Sequence, residues 1–307
     1  MATNTELAPR IPSPAPRTTW EGITGAWLAE VTARTGSKRT PGEYSRYLAR
    51  FMAEVGGDPA QATTATVHAF AYGEGPHGRQ PSPSTVIVRL AALRSFYDFA
   101  RRMGMVADNP TVDVKRPKAR PPVPRGLEVE ELQRLLAVIP DTVVGKRDRA
   151  IVLVAVFTGL RRQEIIGLKA GDLTRNGSVY YNVRVKGGAT RRRELPQPAF
   201  NAILDALVAD GRPLEGLAPD DSLFNISDVT FYAYLRKYAK RAGLEGLKPH
   251  DLRHTAAKMR RNNGASIEDV GALLGHASIA TTARYLARME GEADSGWEGV
   301  AAALGVA

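Results

Sequence analysis

A basic, proline-rich segment divides this chain into two parts. Residues 108–125 read DNPTVDVKRPKARPPVPR and include five prolines. Proline lacks a backbone N–H and its ring clashes with the preceding helical turn, so no helix can run through this segment. We therefore predict an extended linker here, with a folded domain on each side. The length of 307 residues favours the same division, because one core of ordinary size does not organise so long a chain.

The net positive charge favours a polyanionic partner. The chain has 42 Lys+Arg against 32 Asp+Glu, a formal net charge of +10 and a pI near 9.9. Nucleic acid is the first candidate and an anionic membrane the second, while a well-solvated basic protein without either partner is the third interpretation. The linker either follows the phosphates of a duplex or serves as a solvated tether. Its basic residues, unopposed after Asp113, are Lys115, Arg116, Lys118, Arg120 and Arg125.

Several classes of protein are excluded by composition. The chain has no cysteine, which excludes disulfides, thiol catalysis and thiolate metal sites. It has no uninterrupted apolar run of about 18 residues, the length that a transmembrane helix needs. Residues 1–18 are rich in proline and polar residues where a signal peptide would require an apolar core, so we predict a disordered arm. The absence of cysteine favours a reducing cytoplasm, although a cysteine-free chain also suits other locations.

Residues 19–107 predict a small helical bundle. Trp20, Ile23, Trp27 and Val31 recur at helical spacing after a threonine that can cap the helix. Further helices are predicted over 41–55, 59–72 and 84–105, with the arginines of the last one supplying surface charge. His68 and His77 have no partner that would suggest a ligand site.

Residues 126–290 predict a second, mostly helical domain with one small sheet. The run SVYYNVRV, the turn KGGAT and the run RRRELP indicate a β-hairpin. Ahead of it, Arg161 and Glu164 share one face of a short helix in RRQEIIGLKAGDL. The hairpin is basic, and its cationic residues are Arg184, Lys186, Arg191, Arg192 and Arg193.

A cationic stretch near the end of this domain carries the chemistry. Between Pro249 and Tyr285 the chain places His250, Arg253 and His276 ahead of that tyrosine, with no Asp or Glu beside the phenol. Arginine and histidine can hold the charge of a phosphodiester, and the phenol oxygen can act as the nucleophile. The stretch therefore predicts attack on a phosphate rather than on a carbonyl.

Five motifs in order resemble those of the tyrosine recombinases, the phage-integrase group that includes the Cre and Xer recombinases. They are TGLRRQE, a lysine in the hairpin turn, HDLRHT, LGH, and a tyrosine nine residues after the LGH histidine. The resemblance covers about residues 20–290. It implies a mainly α protein with a SAM-like helical core-DNA-binding domain at 19–107. A mixed α/β catalytic domain with a small antiparallel sheet would follow at 126–290.

The resemblance also implies a role for each matching residue. Arg161 and Arg253 would clamp the non-bridging oxygens of the scissile phosphate, and Lys186 would be the general acid for the departing 5′-oxygen. His250 and His276 would hydrogen-bond the phosphate and assist proton transfer, and Tyr285 would attack phosphorus. Glu164 would orient its neighbours, and His254 would be structural, directed into the core behind Arg253. The family chemistry implies neither a metal nor another cofactor.

Each assignment has a simpler alternative. Arg161 could merely pair with Glu164. Lys169 and the hairpin arginines are alternatives to Lys186 as the general acid. Tyr285 could be a buried aromatic. The chain departs from the family pattern at Arg162, where an apolar or small residue is more common. A position facing solvent or DNA would tolerate that arginine.

The resemblance further implies how the protein works on DNA. Four protomers would act on two specific double-stranded sites through a Holliday junction, with an accessory protein or partner recombinase as a further candidate and no membrane partner. The short arm predicts a simple Xer- or Cre-like enzyme. Residues 291–307 predict a tail helix, exchanged between protomers or docked on its own domain.

The rival functions are a type IB topoisomerase and a non-catalytic DNA-binding protein on the same fold. The predicted DNA contacts are Lys115, Arg116, Lys118, Arg120, Arg184, Arg191, Arg192 and Arg193.

Overall fold

The chain divides into two compact units, Met1–Pro121 and Pro122–Ala307. The computed structural model describes residues 19–36, 39–118, 124–184, 190–275, 280, 282, 283 and 286, with only the backbone described at Arg184. The predicted arm at 1–18 and tail helix at 291–307 lie outside the described residues. The division falls within the predicted linker. Among the described helices, none combines the length and apolar character needed to cross a membrane.

The first unit is helical, and aromatic side chains dominate its core. Trp27, Phe51 and Phe96 are fully buried, and Trp27 meets Phe96 edge-on with ring centroids 5.4 Å apart. Thr19 caps the first helix by accepting a hydrogen bond from the backbone N–H of Gly22. The helices are α1 (Trp20–Thr35), α2 (Arg39–Glu54), α3 (Thr64–Tyr72) and α4 (Pro83–Arg102).

Two details of this unit differ from the sequence prediction. The third helix does not start at Pro59: Pro59–Gln61 form a separate 3-10 turn, and α3 begins after Thr63, whose side chain caps it. Arg89 is buried rather than a source of surface charge. Its Nη1 donates to the carbonyl oxygens of Phe70, Ala71 and Gly73, where α3 ends and carbonyls lack helical partners.

The first half of the predicted linker packs on this unit instead of running free. Asn109 and Thr111 are buried, and the Asn109 side chain donates to Asp98 of α4 at 2.8 Å. Val114 belongs to the apolar core, and the Tyr72 hydroxyl donates to the Lys115 carbonyl oxygen at 2.7 Å. The prolines do exclude a helix here, but these side chains turn the segment back onto α4.

The second unit is built around a buried helix, α6. Ile151, Val152 and Val154 on α6 are completely buried, and the helix packs against α8 and α10. The helices of this unit are α5 (Val129–Ala137), α6 (Val143–Thr158), α7 (Arg162–Ile166), α8 (Gln197–Ala209), α9 (Asp228–Arg241), α10 (Pro249–Asn262) and α11 (Ile267–Leu274). Short 3-10 turns occupy Ala170–Asp172 and Leu214–Gly216, so the predicted helix over 161–173 is interrupted.

A small antiparallel sheet completes the second unit. Its order is β1-β2-β3, with β1 at Leu173–Asn176, β2 at Ser178–Arg184 and β3 at Thr190–Glu194. The hairpin of β2 and β3 confirms the prediction, and Tyr181 faces Arg193 across it. Strand β1 was missed because its four residues lack apolar alternation. Mostly helical architecture with a small antiparallel sheet confirms the predicted fold class.

Candidate active site

Arg161 and Glu164 form a local unit where α7 begins. The Glu164 carboxylate accepts two hydrogen bonds from Arg161, one from its backbone N–H at 2.7 Å and one from Nη1 at 2.9 Å. The carboxylate thus caps the helix and holds the guanidinium in one orientation. Arg161 does pair with Glu164, yet its side chain is 47% exposed and a guanidinium has five N–H donors. The pairing therefore leaves donors for an anion.

Arg253 of α10 lies buried at the junction of two helix ends. Its Nη1 donates to the carbonyl oxygen of Gly159, just past α6, and its Nη2 donates to that of Leu274, the last residue of α11. Carbonyl groups at helix C-termini lack intrahelical partners, and a cation there is also favoured by the helix dipole. The position of this guanidinium therefore depends on how α6 and α11 end.

Gly159 permits this junction. It ends α6 in the left-handed region at φ 63°, which glycine adopts without strain. A Cβ at this position would lie 3.3 Å from the side chains of both Leu273 and Leu274. The glycine thus lets the ends of α6 and α11 pack closely, two residues ahead of Arg161.

The two arginines share one electrostatic environment. Burial and then the charge of Arg161 together lower the pKa of Arg253 to about 10, while Glu164 opposes the shift. Like charges that repel each other bind an anion more favourably, since the anion relieves the repulsion. The site is thus prepared for a negatively charged group.

His250 and His254 lie one turn apart on α10, with ring centroids 4.6 Å apart and the rings edge to face. Desolvation lowers the pKa of His250, and the charge of Arg253 adds to the effect. Burial, then His250 and Arg253, lowers the pKa of His254 to about 4. Both rings are therefore neutral at pH 7. His254 is half-buried beside His250, not fully enclosed in the core.

Three predicted catalytic residues, Lys186, His276 and Tyr285, lie outside the described residues. The structure therefore brings together Arg161, Arg253 and His250, with Glu164 and His254 beside them. The roles of Lys186, His276 and Tyr285 stay predictions from the motifs.

The three consecutive hairpin arginines do not form one patch. Arg191 and Arg192 are exposed, and the Arg192 guanidinium lies 4.3 Å from the ring centroid of Tyr180. Arg193 is half-buried, and it donates to the carbonyl oxygens of Ala272 and Leu273 on α11. The sequence placed Arg193 in a DNA-binding group, but its guanidinium is hydrogen-bonded to the end of α11.

The predicted linker cations differ in their surroundings. Lys115, Arg116 and Lys118 are exposed, whereas Arg120 lies outside the described residues. Arg125, expected to be unopposed, donates to the carbonyl oxygen of Glu245 at 2.9 Å and lies 3.8 Å from the Glu131 carboxylate. Of the described linker cations, the first three therefore remain candidates for contact with phosphates.

Arg162 is the residue at which the chain departs from the family pattern. Its side chain is only 27% exposed, so it is not a freely solvated arginine. Its Nη2 donates to Asp228 at the start of α9 at 2.8 Å, and its guanidinium lies 5.9 Å from the Tyr232 ring centroid. The residue that follows Arg161 is therefore tied to α9. This partner is 66 residues away, so no local pattern indicated it.

A basic groove beside α9 was missed by the sequence analysis. Arg236, Lys237 and Lys240 line it together with Gly246 and Leu247. The three cations recur on one side of an amphipathic helix, a signal that a helical-wheel reading of residues 228–241 would have found. Their exposure makes them additional candidates for contact with a polyanion.

Known proteins resemble this chain in both sequence and fold. Residues 125–292 match the family model described as "Phage integrase family". The tyrosine recombinase XerC of Herpetosiphon aurantiacus is 33% identical over 216 residues, which cover 66% of this chain and 68% of the relative. Similar solved structures are a lambda integrase(75-356) dimer bound to a COC′ core site and a lambda integrase tetramer bound to a Holliday junction.

The structural likeness extends over most of the chain. The dimer gives a TM-score of 0.69 at 18% identity and covers 90% of this chain and 98% of that one. The tetramer gives 0.68 at 19% identity, with coverages of 90% and 79%. At such identities the likeness concerns the fold alone.

Proposed function

Because the chain belongs to the phage integrase family, we propose that it acts as an Xer-like site-specific DNA recombinase that joins strands through a tyrosine intermediate. One observation carries the proposal: Arg161 and Arg253 share an environment whose positive charge is offset in part by Glu164. Two planar guanidinium groups suit the non-bridging oxygens of a phosphodiester, where charge accumulates in the transition state.

In the proposed reaction, the phenol oxygen of Tyr285 forms a bond to phosphorus while the bond from phosphorus to the 5′-oxygen breaks. Lys186 supplies a proton to the departing oxygen, and a histidine accepts the phenol proton. His250 suits the second task, since its lowered pKa leaves it neutral at pH 7. His276 would hydrogen-bond the same phosphate.

The intermediate explains how strands are rejoined. The products are a 3′-phosphotyrosyl linkage and a free 5′-hydroxyl, and attack by a 5′-hydroxyl reverses the step without ATP. The positive side chains hold the phosphate charge in this scheme, so it requires no metal ion.

DNA contacts belong to the same proposal. The exposed cations of the linker and of β3 would bind phosphates and leave base recognition to other side chains. Residues 19–107 would be the core-binding domain, and residues 126–290 the catalytic domain. Four protomers would exchange strands through a Holliday junction in the cytoplasm, with the tail 291–307 passed between protomers.

Covalent capture tests the proposal without a known target site. The wild-type protein is incubated with a library of nicked duplexes whose sequence is randomised around the nick. Cleavage near a nick releases a short fragment that cannot return, so the protein stays attached to its DNA through a strong denaturant wash. We expect an enriched sequence from wild type and none from Tyr285→Phe.

Two outcomes would contradict the proposal. Failure of the wild type to retain any DNA would remove the catalytic function and leave a DNA-binding protein. Relaxation of supercoiled plasmid lacking the captured sequence, at the same rate as plasmid containing it, would instead indicate a topoisomerase.

A further inference from the structure

Arg193 occupies the core-facing side of β3. The hairpin register places it opposite Tyr181, which is 1% exposed. Because strand side chains alternate between faces, its neighbour Arg192 lies on the other side of the sheet, above Tyr180. Arg193 is thus directed towards α11, while Arg192 is directed away from it.

The guanidinium of Arg193 is hydrogen-bonded to the end of α11. Nη1 donates to the Leu273 carbonyl oxygen and Nη2 to that of Ala272. The next carbonyl oxygen, that of Leu274, accepts from Nη2 of Arg253. Three successive carbonyl oxygens at the end of α11 therefore accept hydrogen bonds from two arginines, Arg193 of β3 and Arg253 of α10.

This helix end contacts the candidate site through Arg253. Arg253 also donates to Gly159, which packs against Leu273 and Leu274 two residues ahead of Arg161. A shift of the α11 end would therefore move the acceptor of Arg253 and disturb the packing that leads to Arg161. Arg193 joins this helix end to the sheet.

We propose that Arg193 is a positioning residue for the phosphate clamp, acting through the end of α11, where it binds the two carbonyl oxygens that precede the acceptor of Arg253. The inference rests on the proposed function, since it assumes that Arg253 binds the scissile phosphate. A guanidinium displaced by about 1 Å loses much of its catalytic effect, and such a displacement costs about 10²-fold in rate.

The first measurement needs no DNA. Hydrogen exchange is followed by mass spectrometry on peptides covering residues 267–275 in wild type and Arg193→Gln. Loss of the two hydrogen bonds should speed exchange in the last turn of α11. Arg175→Gln is the matched control, because it removes one charge from an exposed site on β1 of the same sheet. Unchanged exchange in Arg193→Gln would overturn the inference.

The second measurement uses the captured DNA sequence with either a normal phosphate or a methylphosphonate at the scissile position. The methyl group replaces a charged oxygen, so the substrate depends less on the clamp. We expect Arg193→Gln to cleave the normal substrate about 10²-fold more slowly than wild type, with unchanged DNA affinity. The loss should shrink markedly on the methylphosphonate, as it should for Arg253→Ala but not for Tyr285→Phe.

An equal loss on both substrates would show a general structural defect and would overturn the inference. If Arg193→Gln does not fold, Arg193→Lys keeps the charge and one hydrogen bond, and the same two comparisons apply to it with a smaller expected loss. If wild type captures no DNA, the proposed function fails, while the exchange measurement still decides whether Arg193 holds α11.

Discussion

The carboxylate of Glu164 binds both the backbone N–H and the guanidinium of Arg161. A single side chain therefore starts α7 and orients the guanidinium of Arg161. A carboxylate can accept both bonds at once with its two oxygens, whereas an amide offers one oxygen for the purpose. The negative charge also offsets the repulsion between Arg161 and Arg253.

Glu164→Gln should therefore slow strand cleavage by up to about 10²-fold, because Arg161 loses its fixed orientation. The measurement is the single-turnover rate of covalent adduct formation on the captured sequence. Glu130→Gln makes the same chemical change in the first turn of α5, at an exposed position, and should leave the rate unchanged. Equal rates for Glu164→Gln and wild type would contradict an orienting role.

Stability should fall as the pH is lowered from 7 to 5. His254 has a folded-state pKa of about 4, below its ordinary value of 6.5, so the unfolded chain binds more protons in this interval. The stabilisation is complete above 6.5 and is lost progressively towards pH 4. The loss at pH 5 should reach up to about 2 kcal/mol.

Urea unfolding at the two pH values measures this loss, and His254→Gln should reduce the difference between them. His77→Gln changes an exposed histidine in a loop of the first unit and should keep the wild-type difference. A pH difference that survives in His254→Gln would assign the effect to other groups.

Arg162 and Asp228 should show a measurable coupling. The pair is 2.8 Å apart and both side chains are about 70% buried, with 27% and 30% exposed. A double-mutant cycle of Arg162→Ala and Asp228→Ala, read by urea unfolding, should give about 0.5–1 kcal/mol. The pair of Lys169 and Asp220, at 50% and 93% exposed, should give close to zero. Equal coupling in the two pairs would show that burial does not decide the interaction.

Tyr238→Phe should destabilise the second unit. The Tyr238 hydroxyl donates at 2.9 Å to Asp148, a completely buried carboxylate that also accepts from Arg147. Removing one donor leaves an oxygen unsatisfied in the core, which costs about 1–3 kcal/mol. Tyr234→Phe alters the neighbouring ring and should cost much less in the same unfolding measurement. Similar losses for the two variants would argue against the hydrogen bond as the cause.

Arg191 and Arg192 should contribute to the salt dependence of DNA binding, and Arg193 should not. The double variant Arg191→Gln with Arg192→Gln should lower the slope of log affinity against log salt by up to about 2, one counterion per lost contact. Fluorescence anisotropy on a duplex of arbitrary sequence measures the slope. Arg193→Gln should keep the wild-type slope, because its guanidinium is bound to α11. A lower slope of log affinity against log salt in Arg193→Gln would show that Arg193 does contact DNA.

Local pattern predicted those parts of the fold that depend on neighbouring residues. The stripe of Ile23, Trp27 and Val31 placed the buried face of α1, and the two runs on either side of the KGGAT turn placed the hairpin. The same holds for Arg161 with Glu164, one helical turn apart. Where residues were polar and few, as in β1, the pattern was too weak to distinguish a strand from a loop.

By itself, the sequence determined most of the helices and the hairpin, because each depends on a backbone repeat of 3.6 or 2 residues. The residue types of the site came from motifs that resemble those of a known family. Tertiary structure alone decided that Arg253 bonds to Gly159, 94 residues away. It also decided that Arg193, unlike Arg191 and Arg192, bonds to α11. Three adjacent arginines look alike along the chain. Packing separates them, since a buried guanidinium must find acceptors and the nearest carbonyls without partners lie at helix ends.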